Sequence, residues 1–115
     1  MFLKLIMSVY VVATIYHADP RQCNAEYLTT ASLKKINKSN PQGHRWIAVS
    51  RDLEKYGFTF GTKVCVEGAG LMDGVWTIED RMNKRWTNRI DFLVNKTMTG
   101  GKWTNVKITI IDTKK

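Results

Sequence analysis

Several things are scarce in this chain of 115 residues, and each scarcity closes off a class of protein. Its two cysteines, Cys23 and Cys65, are too few for a disulfide scaffold. They could join in one bridge if the chain is exported, or stand as separate thiols with Cys65 inert in a strand. No pair of them has zinc-type spacing, so neither a structural metal nor a cofactor is expected. The two histidines, His17 and His44, are far apart and lack a Ser or Cys pattern beside them. Gly68-Ala-Gly70 is the nearest approach to a phosphate loop, and no lysine or helix follows it. No apolar run reaches the length of a transmembrane helix. Repeats and low-complexity segments are absent. Acidic residues are also in deficit, 10 against 18 Lys and Arg, for a net charge of +8. Such a surface attracts polyanions: nucleic acid, an anionic membrane face, or peptidoglycan with its stem-peptide carboxylates.

What is present fits one domain, 1–115, with one core. Lys4 followed by Leu5 to Ala13 has the look of a minimal leader, but no polar break or cleavage site ends it. Val9, Val11, Ala13 and Ile15 alternate with Tyr10, Val12, Thr14 and Tyr16, which favours a retained first strand. Ala18 to Asn24 and Asn37 to His44 read as loops, with a short strand from Tyr27 to Ala31 between them. Strands are expected at Trp46–Val49, Thr62–Glu67, Val75–Asp80, Arg89–Val94 and around Val106, Ile108 and Ile110. One helix is expected from Ser50 to Tyr56, with the Ser50 hydroxyl as its N-cap, Asp52 and Glu54 in its first turn and Gly57 as its stop. Some six short strands, glycine-rich turns and one short helix predict a compact all-β barrel.

Two aspartates stand out. In Trp76-Thr-Ile-Glu-Asp80, alternation puts Asp80 on the face of Trp76 and Ile78, and in Arg89-Ile-Asp-Phe92, Asp91 lies opposite Ile90 and Phe92. A carboxylate among apolar and β-branched neighbours is either partnered or holds its proton more tightly. On neighbouring strands the two would raise one pKa, as a general acid for glycosidic cleavage requires. The structural alternative has Asp80 capping the next loop and Asp91 paired with Arg81 or Arg89. The loop between them carries Lys84, Arg85, Trp86 and Arg89. Such a mixture can cover a sugar ring and meet carboxylates, or stack and neutralise single-stranded nucleic acid, or simply fold onto the barrel as a solvated basic loop.

Seven segments occur together in family order: Val11-Val-Ala-Thr-Ile-Tyr16, Thr29-Thr-Ala-Ser32, Ile47-Ala-Val-Ser-Arg-Asp-Leu53, Phe60-Gly-Thr-Lys-Val64, Val66-Glu-Gly-Ala-Gly70, Trp76-Thr-Ile-Glu-Asp80 and Asn88-Arg-Ile-Asp-Phe92. From Val11 to Ile111 the chain resembles the three-aspartate domain of the double-psi β-barrel group. That group includes the catalytic barrel of membrane-bound lytic transglycosylase A, rare lipoprotein A and the expansins. Met82-Asn-Lys-Arg85 is similar to versions from Bacteroides-type bacteria and their phages. The resemblance implies a six-stranded double-psi barrel, Asp91 as the catalytic acid, Asp80 as its support and Thr30 beside it. It implies cleavage of the MurNAc–GlcNAc bond by a single acid–base group, with closure of a 1,6-anhydro ring and no consumption of water. Two departures stand out. Ser50 occupies the place of the first family aspartate, with Asp52 two residues late, and Arg81 follows Asp80, in position to neutralise either acid. The alternative is a barrel that binds cell-wall glycan, or a virion component, without cutting; a nucleic-acid module comes third. An open groove over Asp80 and Asp91 favours the enzyme, and a groove blocked by Arg81 or Trp86 favours the binder. The expected partner is peptidoglycan, met by a monomer in the cell envelope, the periplasm or a virion.

Overall fold

The computed structural model describes residues 7–19 and 26–112. Six strands, β1 (Ser8–Tyr16), β2 (Trp46–Val49), β3 (Lys63–Glu67), β4 (Gly74–Arg81), β5 (Arg89–Leu93) and β6 (Lys102–Asp112), close into a barrel in the order β1-β5-β2-β4-β3-β6. The fold is thus the all-β, six-stranded double-psi barrel expected.

Strict alternation builds its interior. Val11 and Ala13, Ile47 and Val49, Val64 and Val66, Trp76 and Ile78, Ile90 and Phe92, and Val106 and Ile108 all point inward and are buried. Two residues per strand fill the lumen, and each large side chain contributes about 1.5–3 kcal/mol by leaving water. Trp76 is wholly buried because its indole N–H donates to the Met72 carbonyl at 2.7 Å, which removes the penalty for an unsatisfied donor.

The connections are what make a site. β5 lies between β1 and β2, so the β1–β2 connection arches over β5. β2 lies between β5 and β4, so the β4–β5 connection arches over β2. The pairs β1–β5 and β2–β4 are parallel, as these interlocked crossings demand. The long arch, described over residues 17–19 and 26–45, buries Ala18 and Ile36 against the outward-facing Leu93, with Tyr16, Tyr27, Leu28 and Trp46 around them. His44 stacks on Trp46 at 3.9 Å, and its Nε2 accepts from the Asn37 N–H at 2.8 Å.

Three local expectations need correction. Tyr27–Ala31 is not a strand; the segment makes one isolated bridge, Thr29 to Lys35, because it belongs to the arch and has no free sheet edge to join. The expected helix is a 3-10 helix, Arg51–Tyr56, and Ser50 does not cap it with its side chain. The Ser50 hydroxyl instead accepts from the Arg89 N–H at 3.0 Å, a long-range donor that competes successfully with the local ones. Cys65, expected as a buried thiol in a strand, does lie in a strand, β3, but is half-buried on its outer face, and Cys23 lies outside the described residues. No helix among the described residues is long and apolar enough to cross a membrane.

Candidate functional site

Register places the two acids. Thr14 pairs with Asp91, Asp91 with Ala48, and Ala48 with Asp80, so these four residues form one row across β1, β5, β2 and β4. Paired residues on adjacent strands face the same way, and here they face outward. Asp80 reaches this row through a bulge. Ile47 pairs with Ile78 but Ala48 pairs with Asp80, so β4 spends one extra residue at Glu79. The extra residue reverses the alternation and takes Asp80 off the Trp76–Ile78 face predicted for it.

The acids are therefore not on neighbouring strands. β2 separates them, which sets their Cα atoms about 9–10 Å apart. Between them Ala48 presents only a methyl group, so both carboxylates open into a groove of about 780 Å³. Tyr16, Tyr27 and Trp86 supply aromatic surface to its wall, and Thr30, Asn83 and Arg85 supply polar groups.

The two carboxylates differ in their partners. Asp80 is held from three sides. The Tyr16 hydroxyl donates to Oδ2 at 2.9 Å, and the backbone N–H groups of Ala31 and Arg81 donate to Oδ1 at 3.0 and 2.9 Å. Asp91 receives a hydrogen bond on Oδ1 from the Thr14 hydroxyl, and among the described residues Oδ2 has no partner. Burial pushes the Asp91 carboxyl above its ordinary value, against the opposing pull of Thr14 and Arg89, and the charge of Asp80 adds to the rise.

Arg81 does not neutralise this pair. Its guanidinium turns to Glu54, Nε to Oε2 at 2.7 Å, and lies over the Phe60 ring at 5.2 Å. Trp86 is half-buried at the groove wall and leaves the groove open; Arg85 and Arg89 lie over its ring at 4.9 and 4.4 Å. Thr30 lines the groove but is buried, and its hydroxyl serves its own turn, bonding Ser32 Oγ at 2.9 Å and accepting from the Lys34 N–H at 3.0 Å. That turn presents the Ala31 N–H to Asp80. Lys84 is exposed, and neither Lys84 nor Arg89 lines the groove.

The short arch, residues 82–88, is fixed from below by the start of the 3-10 helix. Arg51 Nε donates to the Met82 carbonyl at 3.1 Å, Asp52 accepts from the Asn88 N–H at 3.0 Å, and Ser50 holds the Arg89 N–H. Ser50 and Asp52 thus form a clamp on the arch and stand outside the groove.

The barrel resembles that of an expansin. Two solved structures of Clavibacter michiganensis expansin match it: a mutant in complex with cellohexaose, with a TM-score of 0.60 at 13% identity, and the apo protein, with 0.59 at 12%. Each match covers 95% of this chain and 52% of the expansin, so the chain spans about half the length of the proteins it matches. No protein-family model matches the sequence, and no curated protein does. At this identity the likeness speaks for the fold.

Sequence reading missed Thr14, Tyr16 and Ala48. Thr14 and Tyr16 carried a signal, being polar residues two apart on the face of β1 opposite Val11, Ala13 and Ile15. Ala48 and the Ala31 N–H carried none, since their importance lies in pairing and in a turn.

Proposed function

We propose that the groove under the two arches binds a cell-wall glycan strand. The observation that carries this reading is the aromatic lining, the faces of Tyr16, Tyr27 and Trp86 in one groove with two carboxylates; the openness of that groove over both acids bears on the second reading below. Aromatic rings cover the apolar face of a sugar, and carboxylates accept from its hydroxyls. Similarity to an expansin solved with cellohexaose supports a glycan as the ligand class. An acidic floor opposes a phosphate backbone, which argues against nucleic acid in the groove. Peptidoglycan suits the net charge of +8, since its stem peptides carry carboxylates that the basic surface attracts.

Asp91 favours a second reading, in which the same groove also cuts. A half-buried acid with a raised pKa and a free oxygen can protonate the bridging oxygen between two sugars. The resulting carboxylate takes the proton from the 6-hydroxyl, whose oxygen closes on C1 to give a 1,6-anhydro end. Asp80, held by three donors, is poorly placed to activate water, so the single-acid route suits this site better than the two-carboxylate hydrolytic one.

Incubation with purified sacculi separates the two readings. A binder is retained, loses retention in Trp86→Ala, and releases no soluble sugar. A cutter releases anhydro-muropeptides, detected by mass, and Asp91→Asn abolishes them. Parent protein that neither sediments with sacculi nor releases product would overturn both.

A further inference from the structure

A second depression, of about 590 Å³, lies where the long arch enters β2 and the chain leaves β5, and it shares no lining residue with the groove. Asn40, Gln42, Gly43, Arg45, Asn95 and Thr97 line it, and no carboxylate does. Its chemistry follows from hydrogen bonds that fix which way each amide points. The Gln42 backbone N–H donates to Asn95 Oδ1 at 2.9 Å, and the Asn95 backbone N–H donates to Gln42 Oε1 at 3.3 Å. Two backbone donors thereby lock both side-chain oxygens, because a reversed amide would set N–H against N–H. Asn95 Nδ2 then donates to Asn40 Oδ1 at 3.1 Å, which locks the third amide. All three amide oxygens are used. Gln42 Nε2 and Asn40 Nδ2 remain, both pure donors, and among the described residues neither has an acceptor.

Arg45 completes the set. Its Nε donates to the Val75 carbonyl at 3.0 Å, its Nη2 to the Asp73 carbonyl at 3.2 Å, and its guanidinium lies 4.1 Å over the Trp76 ring. The fork is held rigid while Nη1 stays unspent. A Cβ at Gly43 would stand 2.4 Å from Asn40 Nδ2, so any larger residue there would displace that amide.

We infer that this depression is a second ligand site, one that takes a small carboxylate carrying a neighbouring hydroxyl, as a sugar acid does. A planar guanidinium held by other contacts matches a carboxylate, and one guanidinium balances one negative charge. The two amide N–H₂ groups belong to residues lining the same depression and are donors for further oxygens of the ligand. The site stands independently of any activity in the groove.

The test uses ¹⁵N-labelled full-length protein titrated with D-glucuronate, with D-glucose as the uncharged counterpart, and reads the side-chain signals of Asn40, Gln42 and Arg45. Glucuronate is expected to move all three, and glucose none. Asn40→Asp keeps the acceptor that Asn95 needs but replaces the donor with a like charge, and weakens glucuronate binding by about tenfold or more. Gln42→Glu does the same, keeping the acceptor for the Asn95 N–H. Trp86→Ala leaves the titration unchanged. Failure of glucuronate to move these signals, equal response to glucose, or parent-like affinity in both Asn40→Asp and Gln42→Glu overturns the assignment.

Discussion

The two arches that cross the barrel face are held by opposite kinds of force. The long arch between β1 and β2 anchors through Ala18 and Ile36 on Leu93. The short arch, residues 82–88, buries Met82 alone. Its ends are fixed by polar groups of Ser50, Arg51 and Asp52, and its middle by two guanidinium groups on Trp86. The acids divide along the same line. Asp80 is gripped by the long arch through the Ala31 N–H, while Asp91 keeps one oxygen open. Apolar anchoring can support a fixed carboxylate without titrating itself, and polar anchoring sets a loop's position without covering what lies beneath it.

The comparison breaks most severely at Leu93. Leu93→Ala removes the wholly buried anchor of the long arch and should cost about 2–5 kcal/mol, read as a lower urea midpoint. A loss below that range would mean the arch stands without its apolar contact. Ser50→Ala comes next. It removes the buried Ser50 hydroxyl and leaves the part-buried Arg89 N–H without its acceptor, which should cost about 1–3 kcal/mol, with unfolding curves as the measure. An unchanged midpoint would show that water replaces the hydroxyl.

Asp91→Asn sharpens the comparison through pH. The folded pKa of Asp91 is raised above 3.8, so the folded state binds its proton more tightly than the unfolded state does. Its contribution is fully present below about pH 3.9 and is lost as pH rises through the folded value. The Asn variant should therefore gain stability relative to the parent as pH rises from acid to neutral. A difference that stays flat across pH, in parallel chemical denaturation series, would show that Asp91 ionises as an ordinary surface acid. The smallest effect is expected at Arg89. Arg89→Ala removes one guanidinium from the exposed side of Trp86 and should cost about 0.5–1 kcal/mol or less. It should also weaken retention on sacculi most at low salt. Identical retention across a salt series would confine Arg89 to packing.

The barrel was legible because its core residues alternate within each strand, so Val11 and Ala13 or Ile90 and Phe92 announce an inward face locally. Asp91 was legible for the same reason, on the opposite face from Ile90 and Phe92. Asp80 was placed on the wrong face because the bulge at Glu79 arises from pairing with β2, whose partner strand no local pattern names. Ser50 looked like a cap because Asp52, Glu54 and Gly57 make a good helix signal around it. The competing Arg89 N–H lies 39 residues away, and only the closed barrel brings it near.

By itself, then, the amino-acid order determined barrel strands with one apolar face each, a basic surface, and two carboxylates in unusually apolar settings. Those are properties of composition and of period-two spacing, and they require no partner. Tertiary structure decided that β5 and β2 would interleave with strands distant in sequence. It thereby put Thr14, Asp91, Ala48 and Asp80 in one row, turned Arg81 away to Glu54, and left Asp91 beneath an open groove. The physical reason is that strand register is a relation between segments, set when the barrel closes on its core, and no segment carries it alone.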